Sequence, residues 1–177
     1  MNMNLFRWNF FRLFRSGCDD VKHVRMGRTM ESTIFELVAL VLVITMLVLA
    51  VIMYFHAPES IPTHFDAAGN PNNEGSRLTL LIVAGIGAFV TVLLMAGAYV
   101  PTGVINPPPN LETPRQFVLA SRMVRVLALL VCLLFICIIL MMCYPTAGCG
   151  IPLIILVILI ALTPIIFAIL IRRARNR

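Results

Sequence analysis

The chain has 177 residues, is 60% hydrophobic and 12% charged, and has a mean hydropathy of +0.95. A soluble domain carries about twice that share of charge, so the composition excludes an ordinary soluble globule and predicts a polytopic membrane protein. The net charge of +6 does not describe a nucleic-acid groove, because the Lys and Arg residues flank apolar runs rather than lining one surface.

Residues 1–30 hold six basic residues, and residues 4–15, NLFRWNFFRLFR, interleave aromatics with arginines. Two readings stay open here: a helix lying on an anionic membrane face, or a basic tail without structure. Met26 or Met30 is an alternative start to Met1, and MESTIFELVALVLVIT is a natural beginning for a membrane protein.

The first span is Leu37 to Phe55, free of charge and about 28 Å long as a helix, enough to cross the hydrocarbon core. It exceeds a signal-peptide core and no small-residue cleavage site follows, so it is expected to be retained. Tyr54, Phe55 and His56 form an interfacial rim. The polar loop 56–77 follows. The second span runs from about Leu78 to Val100, and its Ala84, Gly85, Ala88, Ala96 and Gly97 predict close packing at the centre of the bundle.

Three prolines in NPPPN, Asn106 to Asn110, exclude helix and ladder strand from the loop 101–123. Thr113 reads as an N-cap with Pro114 at the first helical position. Arg115, Arg122 and Arg125 precede or open a third span at about 124–143, and a tight turn leads to a fourth at 151–171. Pro164 should kink that last helix. Cys132 and Cys137 read as small hydrophobes within the third span. Cys143 and Cys149 flank the turn, where oxidation is open to them, although spacing alone does not fix a bridge.

The fold class expected is therefore an all-α membrane protein: a four-transmembrane-helix bundle over residues 31–177, behind a basic aromatic tail at 1–30. With both termini cytoplasmic, thirteen of the fourteen Lys and Arg residues lie inside and Arg77 alone outside, as the positive-inside rule demands. Loop 56–77 then faces outward and loop 101–123 inward.

No Asp, Glu, Lys, Arg or His lies within the four apolar cores; Glu36 stands at the edge of the first and Arg125 at the start of the third. That disfavours ion-coupled transport. The loops offer no nucleophile beside a base, so no enzyme is expected, and the spacing of His56 and His64 fits no metal motif. Neither a metal nor another cofactor is expected. The functional groups gather instead in Ile61 to Asn72, IPTHFDAAGNPN. His64 and Asp66 in that stretch either hold the loop folded or bind a ligand.

The run Pro58, Ile61-Pro62-Thr63-His64-Phe65-Asp66, Gly69-Asn70-Pro71 resembles the short N-terminal domain of uncharacterised function in SdpI-like bacterial membrane proteins. Asn106, Pro108, Thr113, Arg115-Gln116-Phe117, Leu119 and Arg122 are similar to the family's cytoplasmic loop and third-helix entry. The resemblance covers residues 31–140. The loop closes differently here, as Asn73-Glu74-Gly75-Ser76-Arg77. The family's name-giving member is an immunity protein against a secreted toxic peptide. The resemblance thus implies a bacterial inner-membrane protein, non-enzymatic, that gives immunity to a secreted peptide or senses it. Pro62, His64, Phe65, Asp66, Gly69 and Asn70 are the ligand-binding candidates. Arg115, Arg122 and Arg125 would meet a cytoplasmic protein partner or anionic lipid. The alternative function is a structural or accessory subunit packed in a larger membrane complex.

Overall fold

The computed structural model describes residues 29–66, 70–99, 114–145 and 150–175. Its elements are α1 (Met30–His56), β1 (Ser60–Phe65), β2 (Pro71–Ser76), α2 (Leu78–Gly97), α3 (Pro114–Cys143) and α4 (Gly150–Arg175). The tail 1–28, the NPPPN stretch, Thr113, Gly69 and Cys149 lie outside the described residues, and with them the tail readings, the Thr113 cap and the Cys143–Cys149 pairing.

All four helices are long and apolar enough to cross a membrane. Their outward faces are apolar too: Leu37 is 61% exposed, Phe89 68% and Ile165 57%. In water such surfaces would be costly, whereas lipid solvates them freely. This is the construction of a multi-pass membrane protein.

α1 starts one to two turns before its predicted apolar core because it is capped. Thr29 Oγ1 accepts from the Ser32 backbone N–H at 3.1 Å, and Ser32 Oγ accepts in return from the Thr29 N–H at 2.8 Å. Two of the helix's orphan donors are thereby satisfied. α3 likewise extends ten residues ahead of its apolar run, starting at Pro114. α2 ends at Gly97, short of the expected Val100, with Ala98 as its C-cap. α4 runs through Pro164, beside which the Thr163 hydroxyl donates to the Leu159 carbonyl at 2.7 Å.

The centre of the bundle is α3, not α2. α3 packs against α1, α2 and α4, whereas α2 packs against α1 and α3. The small residues of α2 explain the difference, since they divide between two faces. Ala84 and Gly87 are buried, but Gly85 and Ala96 are exposed. At Gly87 an added Cβ would stand 2.7 Å from Phe135 Cγ of α3, while at Gly85 it would meet nothing within 4 Å. One glycine admits a neighbouring ring, and the other faces outward.

The loop between α1 and α2 is not a coil of turns but an antiparallel hairpin. Ser60 pairs with Ser76, Ile61 with Gly75 and Pro62 with Glu74; the register then slips at both sides of His64 before Phe65 meets Pro71. Pro62 stands beside the irregular register and Pro71 at a strand end, where a ladder tolerates a missing donor. Ile61, 2% exposed, anchors the hairpin in the main apolar cluster with Met46, Ala50, Leu80, Ala84, Cys132, Ile139 and Met142, and Phe65 packs against it. The base of the hairpin is closed by the Arg77 N–H donating to the Glu59 carbonyl at 3.1 Å.

Candidate functional site

The hairpin end of the bundle carries the polar stretch and also a cleft. Its walls come from three segments: Met53, His56, Ala57 and Pro58 at the end of α1; Ile61 and Pro62 of β1; and Met142, Cys143, Tyr144 and Pro145 at the end of α3. The cavity volume is about 320 Å³, at the small end of ligand pockets. The walls are largely apolar. His56 supplies a polar group: its Nδ1 donates to the Ile52 carbonyl at 2.8 Å.

The chain builds this cleft through ordinary local chemistry. α1 ends where Ala57 turns extended, with its N–H donating to the Met53 carbonyl at 2.8 Å. Arg77 then bridges the ends of α1 and the hairpin. Its guanidinium lies 5.0 Å from the Tyr54 ring centroid, and Nη1 donates to the Ala57 carbonyl at 3.4 Å. Burying Ile61 next draws β1 over the ends of α1 and α3, leaving Pro58 and Pro62 as the rim.

The candidate residues of the loop do different things. Pro62 lines the cleft. Phe65 is half-buried against the core cluster. Asp66 and Asn70 hold each other: the Asn70 backbone N–H donates to Asp66 Oδ1 at 2.8 Å, Asn70 Nδ2 to Oδ2 at 3.2 Å, and the Asp66 N–H to the Asn70 carbonyl at 2.9 Å. That is an Asx-type closure of the turn. His64 is exposed, opposite Asn73 at the irregular register. Gly69 lies outside the described residues. The structure thus separates the five described candidates: one on the cleft, one packed against the core, two in the turn and one on the outer surface of the hairpin. Met53, Met142, Tyr144 and Pro145 are cleft residues that sequence reasoning missed; the aromatic rim and proline spacing near the helix ends were the available signals. Among the described residues no group of three or more His, Cys, Asp or Glu side chains converges to hold a metal ion.

The opposite end of the bundle holds a second polar assembly. Arg122 Nη2 donates to Glu31 Oε2 at 2.6 Å, with Nε beside the other oxygen, and both side chains are partly exposed. Deeper in, Tyr99 donates its hydroxyl hydrogen to Glu36, and the Arg125 guanidinium lies 5.4 Å from the Tyr99 ring centroid. Arg125 is only 5% exposed, and among the described residues its Nε finds no hydrogen-bond partner. Ser121 donates to the Ala98 carbonyl at 2.6 Å. Of the three arginines, Arg115 and Arg122 are exposed, the latter paired with Glu31, and Arg125 is interior.

A family model described as a domain of unknown function (DUF1648) matches residues 41–88. That interval is about a quarter of the chain and is centred on the hairpin, with the adjoining parts of α1 and α2. No curated protein and no solved structure matches the chain.

Proposed function

We propose that this is a non-enzymatic receptor-like membrane protein whose hairpin end captures an apolar secreted peptide, giving immunity to it or sensing it. The observation that carries the reading is the cleft: a half-open apolar recess roofed by β1, at the end of the bundle that also bears the IPTHF stretch. Apolar side chains of an extended peptide suit such walls, and the exposed polar face of the hairpin supplies hydrogen-bonding groups around them. The excess of Lys and Arg at the other end supports an outward-facing hairpin with both termini in the cytoplasm. The resemblance to SdpI-like proteins adds the bacterial inner membrane as the setting.

The test is complementation. A deletion strain would carry the wild-type gene, A57F, which fills the cleft from its floor, or H64A, which alters only the outer surface of the hairpin. Each would be challenged with the peptides secreted into its own culture. Loss of protection by A57F, at normal membrane levels of protein, is the expected result. Full protection by A57F would refute capture in the cleft. Equal survival of the deletion strain would remove the immunity reading and favour a packing role in a larger complex.

A further inference from the structure

We infer that the start of α3 and the end of α4 form a binding site for the headgroup of an anionic phospholipid, held by Arg115, Arg172 and Arg173. Gln116 Nε2 donates to the Ile171 carbonyl at 3.3 Å, which sets these two helix ends side by side. Gln116 is 2% exposed and Ile171 is 3% exposed, so the junction is packed and the neighbouring arginines are carried on a fixed frame. Arg115, Arg172 and Arg173 are all exposed beside it.

Charge complementarity decides the occupant. Among the described residues, Glu31 is taken by Arg122, Glu36 receives Tyr99 beside Arg125, and Glu59, Asp66 and Glu74 stand at the hairpin end. Among the described residues no ion pair joins any of them to Arg115, Arg172 or Arg173. Three guanidinium groups thus face a common boundary without a described carboxylate, and a guanidinium matches a phosphate diester in bidentate fashion. Depth fits as well. Arg172 and Arg173 follow directly on the apolar run of α4, where headgroups sit. Below them on the same helical face lie Ile169 and Ile165, 49% and 57% exposed, a track for the acyl chain. The site requires only that α4 ends at a lipid–water boundary, and it is independent of peptide capture at the other end.

The experiment uses the full chain purified in mild detergent, offered phosphatidylglycerol and phosphatidylcholine together, with retained lipid counted by native mass spectrometry. R115Q/R172Q/R173Q should lower phosphatidylglycerol retention at least tenfold, in line with the usual gain per basic side chain at an anionic surface. R115K/R172K/R173K should retain within about threefold of wild type, which also shows that the surface tolerates substitution. The charge-matched control K22Q/R25Q/R28Q should stay within twofold. Unchanged retention in the first variant would overturn the assignment. An equal loss in the control would overturn it too, because binding would then follow net charge alone.

Discussion

Gly85 and Gly87 lie two positions apart on α2, and the same substitution at each should have different consequences. In G87A the new methyl stands 2.7, 2.9 and 3.0 Å from Phe135 Cγ, Cβ and Cδ1, against about 3.5–4.0 Å for a comfortable carbon contact. The obstructing atoms are the root of the ring, not a flexible tip, so α2 or α3 must shift. Overpacking of this kind costs about 1–3 kcal/mol, and the helical preference for Ala over Gly returns about 0.5–1 kcal/mol. G87A should therefore lose up to about 2.5 kcal/mol. G85A meets no atom within 4 Å and should be neutral or gain up to about 1 kcal/mol. Unfolding in mixed detergent micelles, followed by circular dichroism, measures both. A double-mutant cycle of G87A with F135L should show a coupling of about 1 kcal/mol or more. Equal stabilities for G85A and G87A, or a coupling of zero, would refute the α2–α3 contact on which the packing argument stands.

Removing Glu36 as E36L strands the interior Arg125 charge and should cost about 3 kcal/mol or more, most of it recovered when R125M is added; the same unfolding assay reads both. The partly exposed Glu31–Arg122 pair should be worth only about 0.2–1 kcal/mol, and the swap E31R/R122E should restore what either single reversal loses. D66A removes two hydrogen bonds to Asn70, each worth about 1 kcal/mol. Limited proteolysis should then cut within residues 60–76 about tenfold faster, while the unfolding of the helices stays unchanged.

The helices were legible because hydropathy is written in single segments: Leu37 to Phe55 and Ile151 to Ile171 can do little else but span. Their true ends depend on caps such as Thr29–Ser32, polar residues that a hydropathy window discards. The hairpin was illegible for a different reason. SIPTHF and PNNEGS carry prolines and little alternation, and only the burial of Ile61 against α1, α2 and α3 makes them strands. Glu36 stands on α1, Tyr99 just past the end of α2 and Arg125 on α3, so nothing local announces their meeting. For the candidate site, Pro62 was within reach of sequence reasoning, whereas Met142 and Tyr144 join it only through the packing of α3 on α1.

The unequal lengths of the helices have a consequence for the bilayer itself. α1 and α3 contain 27 and 30 residues, about 40 and 45 Å of helix, but α2 contains 20, about 30 Å. The longer pair can stand proud of the hydrocarbon; α2 has no such reserve. It acts as the gauge of membrane thickness. In a thicker, sterol-like bilayer the lipids around α2 would have to thin, at a fraction of a kcal/mol per Å of mismatch, so the protein should partition into the thinner of two coexisting membrane phases.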